Sequence, residues 1–343
     1  MGQLTNHKSQ ITNIKRQFDS HALWLSMLIG CVGYKLFLPL KPTLPLWIFF
    51  MLFFTFCKVN PMDLRLHKWH GVVLALQLLF SVGVYYAMMA WTGNVVLSQG
   101  LLMCFIMPTA TAAPIIAGKL GGSIQNLTTF TLLSNFATAI VVPALFPLIY
   151  PAADMTFWPA FMLILSRISP LLLGPFFAAW LLRIGYQWWK KEEFVLSKRA
   201  AVIPFYLWVA SIIVLSASVT ETVITNYQSQ MTNILILLVF SFLACLLQFG
   251  LGKMIGYYLP APSKGRDYQD VLINPAAAPT TMAGVSSITA GQAFGQKNTS
   301  LGVWMAQTYL HPLAALGAAA YIIWQNIFNS LQLTLAARKK PKK

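Results

Sequence analysis

Charge is what this sequence most conspicuously lacks. Only 9% of its 343 residues are Asp, Glu, Lys or Arg, against roughly 25% in a soluble domain. Two runs, Trp69–Gly118 and Leu120–Ala153, contain none of the four, and each has room for two spans of about 20 residues. That excludes a water-soluble globular chain. The apolar runs are continuous rather than alternating, which excludes an outer-membrane barrel. Cysteine is scarce as well. Cys31, Cys57, Cys104 and Cys245 all lie in apolar runs, where a thiol acts as a small packing residue. A disulfide framework or metal cluster is not expected, and the five histidines have no metal spacing. Carboxylates number eight: Asp19, Asp63, Asp154, Glu192, Glu193, Glu221, Asp267 and Asp270. All fall in loops or at span ends, and a cation or proton pathway usually needs one at mid-membrane. There is no HExxH zinc motif, no nucleophile elbow and no acidic cluster for a metal–diphosphate site. Enzymatic chemistry and a cofactor are therefore not expected. Residues 1–21 have no hydrophobic core, so no cleavable signal peptide is expected and the first span directs insertion.

What is present is a series of apolar runs, 57% of the chain being hydrophobic. They predict an all-α polytopic membrane protein with ten spans near residues 22–40, 42–57, 70–91, 94–118, 126–150, 155–182, 201–220, 232–258, 286–310 and 312–330. Around this transmembrane domain (22–330) lie an N-terminal segment (1–21) and a basic tail (331–343), both expected in the cytoplasm. The net charge of +16 does not point to nucleic acid, because the basic residues cluster in short segments between apolar runs. With the N-terminus inside and strict alternation, 20 of the 24 basic residues fall on the inner side. Lys41 falls outside and Lys35 snorkels from a span end. Two remain within the membrane: Arg167 and Lys297. A cell-membrane location with both ends inside follows.

Two spans are interrupted. The fourth breaks at Met107–Pro114, MPTATAAP, where Thr109 and Thr111 sit between two prolines that each remove a backbone donor. The ninth carries GQAFGQKNTSLGVW, residues 291–304, whose polar members cluster near its middle. Broken backbone at membrane depth is tolerated only when buried in protein or lining a cavity. These are corresponding positions in two five-span halves, which points to a transporter with inverted repeats and a midplane site. An odd span number per half requires the inversion. Residues 259–285 are left open as a loop, a re-entrant segment or an extension of the ninth span.

On these residues the chain resembles the bile acid:sodium symporter family, in a divergent, SBF-like bacterial-type branch in which a lysine near the crossover also appears. The resemblance is carried by Pro42–Asp63, Leu247–Leu259 (LQFGLGKMIGYYL), Thr109–Pro143 and Gly295–Gln325. It implies ten helices, with a core of spans 3–5 and 8–10 and a panel of spans 1, 2, 6 and 7. It also implies organic anions carried with sodium. Of the family's sodium ligands, a third-span glutamine falls on Gln77 and a fifth-span threonine on Thr131. The fourth-span Ser-Asn pair falls on Ala113 and Pro114, a fifth-span serine on Leu127, the shared glutamate on Ala293 and a glutamine on Lys297. Most side-chain ligands are therefore replaced, which argues against sodium coupling at those sites.

Lys297 has two readings. Its ammonium takes the place of a sodium ion, held by Gln77, Thr131 and ninth-span carbonyls, or it sits at an interface because the span register is shifted. A bystander is disfavoured, since a lysine at the bilayer centre costs roughly 2.5–3.5 kcal/mol on insertion scales. Burial disfavours the charged form of a lysine, which leaves proton coupling open beside sodium-independent transport. Arg167 either attracts an anionic substrate or is structural. Gln292, Gln296, Asn298, Thr299 and Ser300 either line a site or join helices through hydrogen bonds, and the same choice applies to Ser134 and Asn135. Trp188, Trp189, Tyr257 and Tyr258 are expected as interface anchors. The function expected is secondary transport of a small organic, anionic solute, with sodium or a proton as the candidate coupling ion. Its partners are that solute and the lipid bilayer, and the oligomeric state is open, a monomer included. A cation/proton antiporter is the rival within transport. A membrane enzyme and a channel are the rivals outside it.

Overall fold

The structure is a computed structural model that describes residues 22, 24–60, 62, 64–150, 155–197, 199–261 and 281–338. The N-terminal segment 1–21, the end of the basic tail and most of 259–285 lie outside the described residues. The described residues are helical throughout, apart from turns and one isolated two-residue bridge. In chain order the helices are α1 (24–32), α2 (Tyr34–Phe37), α3 (Leu44–Phe56), α4 (Lys68–Thr92), α5 (Val95–Ile106) and α6 (Ala113–Leu120). They continue with α7 (Ile124–Ile149), α8 (Phe157–Lys190), α9 (Ile203–Tyr258), α10 (Met282–Gly295), α11 (Thr299–Tyr309) and α12 (Ala315–Arg338).

Six stretches among the described residues are long and apolar enough to cross a membrane: Tyr34–Phe56, Lys68–Thr92, Ile124–Ile149, Phe157–Lys190, Ala200–Asn226 and Gln228–Tyr258. Large apolar side chains such as Trp91, Leu148, Trp158 and Leu181 stand exposed on their outer faces. A soluble monomer rarely tolerates so much exposed apolar surface, and lipid is the solvent that suits it. These are the features of an integral membrane protein. Of the other expected spans, the fourth and ninth are each split into two short helices, α5/α6 and α10/α11.

Local chemistry explains most helix ends. Asn94, Ser123 and Asn298 cap α5, α7 and α11 by accepting backbone N–H groups, as short polar side chains do at helix starts. Gly93 and Gly121 end α4 and α6 with positive φ, where glycine is unstrained. Three boundaries differ from expectation. No turn interrupts the chain at Lys41. Instead a 3-10 segment, Leu38–Thr43, joins α2 to α3, because Pro39, Pro42 and Pro45 remove the donors an α-helix needs there. No loop separates the seventh and eighth spans, since α9 has neither proline nor glycine between Pro204 and Gly250 to stop it. Its 56 residues would extend about 84 Å if straight, more than twice a hydrocarbon core. α8 continues to Lys190, past the expected end at 182, before Lys191 turns the chain.

Helices approach closely where side chains are absent. Gly256 of α9 lies against the Ser286 carbonyl of α10, and Gly317 of α12 against the Gly100 carbonyl of α5. A Cβ at either position would collide with backbone that has no room to rotate away. Small residues at helix contacts serve this purpose in membranes. Gly256→Ala is expected to destabilise the detergent-solubilised protein by about 1–3 kcal/mol, the cost of overpacking. Gly83→Ala, at a site open to at least 4 Å, should leave the melting temperature unchanged. Equal melting curves for the two variants would contradict the close α9–α10 contact.

Candidate functional site

α5 must stop at Ile106 because Pro108 disfavours helical backbone at Met107, and Met107 is extended. Four carbonyls then lose their helical partners, since Pro108 has no N–H and the following amides point elsewhere. Each is met from a different direction. Gln248 of α9 donates to Cys104 O at 3.1 Å, and the Lys297 ammonium donates to Phe105 O at 3.1 Å. Thr138 of α7 donates to Ile106 O at 3.4 Å, and Gln77 of α4 to Met107 O at 3.1 Å.

The second break, at 296–298, lies across the first. Ala110 N donates to Gln296 O at 2.9 Å, and Asn298 N donates to Pro108 O at 2.7 Å. The result is an antiparallel bridge between Thr109 and Lys297. Each break thus supplies the other's missing backbone partners. Gln325 of α12 clamps the outer edge of this bridge, accepting from Lys297 N at 2.9 Å and donating to Lys297 O at 3.3 Å. Thr109 is fixed by Ser134, which accepts from its N–H at 3.1 Å, and by its own hydroxyl on Ala293 O at 2.6 Å. Tyr321 donates to Gly295 O at 2.7 Å.

Lys297 is 1% exposed and internal, so it does not sit at an interface. Its ammonium lies at the carbonyl end of α5, where the helix dipole favours a cation, and 5.2 Å from the centroid of the Phe294 ring, within cation–π range. The partners differ from those expected. Gln77 turns to Met107 O and Ser134, and Thr131 donates to Leu127 O in its own helix. The carbonyl that holds the ammonium belongs to the first break, not to the ninth span.

Beside the bridge is a cavity of about 390 Å³. Of the residues expected at a site, Thr111, Thr131, Gln296, Lys297, Asn298, Thr299 and Ser300 line it. Gln77, Thr109 and Ser134 lie behind it, holding the breaks, and Asn135 donates to Thr131 O at 2.7 Å. Gln292 points away and donates to Asn329 Oδ1 at 3.1 Å. Arg167 is exposed on α8 beside the Tyr309 hydroxyl and does not line the cavity. The lining also includes Lys58 just after α3, Phe205 and Trp208 of α9, and Gln325 and Asn326 of α12. The buried Gln296 Oε1 and Asn298 Nδ2 have no hydrogen-bond partner among the described residues.

Sequence reasoning missed Gln325, Gln248 and Lys58. Gln248 had a usable signal, being an isolated amide in an apolar run, and Gln325 opens an amide-rich stretch with Asn326, Asn329 and Gln332. Lys58 had none, being one of many basic residues between spans. No protein-family model matches the chain, and no curated protein matches it either.

Gln325→Leu keeps the side-chain volume and removes both bonds to Lys297. Lys297 O keeps the bond it accepts from Thr299 N at 2.9 Å, but Lys297 N is left buried and unpaired, which should cost about 1–3 kcal/mol, read as a lower melting temperature in detergent. An unchanged melting temperature would mean that the clamp does not hold the bridge.

Proposed function

We propose that the protein is a secondary transporter that carries a small organic anion across the cell membrane by alternating access. In this reading ten spans form two inverted halves, in which α5/α6 and α10/α11 are the broken fourth and ninth spans. A core of spans 3–5 and 8–10 moves against a panel of spans 1, 2, 6 and 7. The observation that carries the reading is the cavity of about 390 Å³ bordered by both helix breaks. Its volume suits a small molecule, and crossed half-helices are where transporters bind their substrates. The cavity reaches the end of α3 and the start of α9, where Lys58 is exposed. The distribution of basic residues supports reading this as the cytoplasmic side, and with it an inward-facing state.

The coupling proposed is independent of sodium. The Lys297 ammonium, bonded to Phe105 O and held against Phe294, supplies the positive charge that a free ion would bring to the crossing. An anion rather than a cation is favoured as the cargo because, among the described residues, no Asp or Glu lines the cavity while two lysines do.

Thermal-shift measurements on purified protein test both points. A panel of organic anions should contain stabilising ligands whose effect is the same in sodium and in choline salts of equal ionic strength. Lys297→Gln should melt lower than wild type and regain stability when a small monovalent cation is supplied. Specific stabilisation of the wild type by sodium would refute the tethered-cation reading. A panel of anions with no stabilising member, alongside stabilisation by cationic solutes, would refute the choice of cargo.

A further inference from the structure

The cavity has one cation available to a ligand, and it is not Lys297. The Lys297 ammonium is committed to Phe105 O and the Phe294 ring, and the residue is 1% exposed. Lys58 stands at the mouth instead. Its ammonium donates to Ala201 O at 2.9 Å, which leaves two of its three donors free. Among the described residues it has no acidic partner and no carboxylate lines the cavity wall. The apolar surroundings hold its pKa below the usual lysine range.

Lys58 is also held in position. Arg183 of α8 donates to Cys57 O at 3.4 Å and to Val59 O at 3.2 Å, the carbonyls on either side of Lys58. The Arg183 guanidinium is in turn 5.7 Å from the centroid of the Phe194 ring. The backbone that carries Lys58 is thus clamped from the neighbouring helix, while the side chain spans from the end of α3 to the 3-10 turn that starts α9. At the helix crossing the cavity is lined by neutral polar atoms that have no partner among the described residues, Gln296 Oε1 and Asn298 Nδ2. The lining also includes the apolar side chains of Phe205, Trp208 and Ile322.

We infer that Lys58, positioned by Arg183, receives the anionic group of the ligand at the cavity mouth. The ligand's uncharged end then lies at the helix crossing. The inference rests on the transport reading and adds the orientation of the cargo to it. The ligand class is an organic monoanion, a carboxylate or sulfonate, with an apolar middle. Its far end carries a group that exchanges hydrogen bonds with amides. Binding replaces one unpaired charge and two unpaired amides with satisfied ones. The bond to Ala201 O holds the ammonium in place until an anion arrives.

The test needs no knowledge of the natural ligand. Thr128 lines the cavity, and its hydroxyl bonds only to Ile124 O of its own helix. Thr128→Cys is introduced after Cys31→Ser, since Cys31 is the one exposed native cysteine and the other three are buried. Modification rates are measured with the anionic reagent methanethiosulfonate ethylsulfonate and its cationic trimethylammonium counterpart. Lys58→Gln should lower the anionic-to-cationic rate ratio by about tenfold, the low end of what a charged cleft does for a counter-ion. Lys58→Arg should preserve the ratio and Arg183→Gln should lower it in part. Lys119→Gln, an exposed lysine outside the cavity, should leave it unchanged. A ratio that ignores Lys58→Gln, or two rates that fall together, overturns the inference and leaves the transport reading standing. Failure of either reagent to reach Thr128→Cys in any background means the cavity is closed to water, which overturns both.

Discussion

Two helices interrupted at membrane depth face a single constraint: every backbone N–H and C=O that the interruption frees must find a partner away from water. The antiparallel pairing of Thr109 with Lys297 is how this chain meets it. Neither break is self-sufficient. Pro108 O and Gln296 O are satisfied only because the other break crosses there. The remaining carbonyls of α5 draw on Gln248, Thr138 and Gln77, so helices α4, α7 and α9 are all committed to one point. The cavity lies beside that point because two chains in extended form do not fill the cross-section that two helices would.

Lys297 belongs to the same economy. An ammonium inside a bilayer is costly, and here the cost is offset by an otherwise unpaired carbonyl, the negative end of a half-helix and an aromatic face. Removing the charge would leave Phe105 O bare. The residue is therefore structural and electrostatic at once, which is what the proposal of a tethered cation requires. It also explains why the cavity's available charge is found elsewhere, on Lys58.

Much of this was legible in the sequence. The membrane class followed from the charge-free runs, and both breaks followed from Pro108, Pro114 and the polar cluster after Gly291. Seven of the expected site residues meet around one cavity. What sequence could not give was partnership. The bond from Lys297 to Phe105 O joins residues 192 apart, and nothing in local pattern marks a particular carbonyl as unpaired. Gln77 and Thr131 were expected to hold the Lys297 ammonium, but their donors go to Met107 O and Leu127 O. Arg167 was placed by its depth in a span, which fixes a height and not a direction. The continuity of α9 was missed because the polar residues after 220 were left outside the spans, when no proline or glycine there stops a helix.

The proposed mechanism stands or falls on whether the crossing meets water from both sides of the membrane. Thr111 lies in the first break and lines the cavity. With Thr111→Cys in the Cys31→Ser background, in sealed vesicles of known orientation, a membrane-impermeant thiol reagent can be added to either face alone. The account predicts modification from both faces, faster from the face that bears Lys58. Modification from that face only, under all conditions including a stabilising anion, would contradict alternating access.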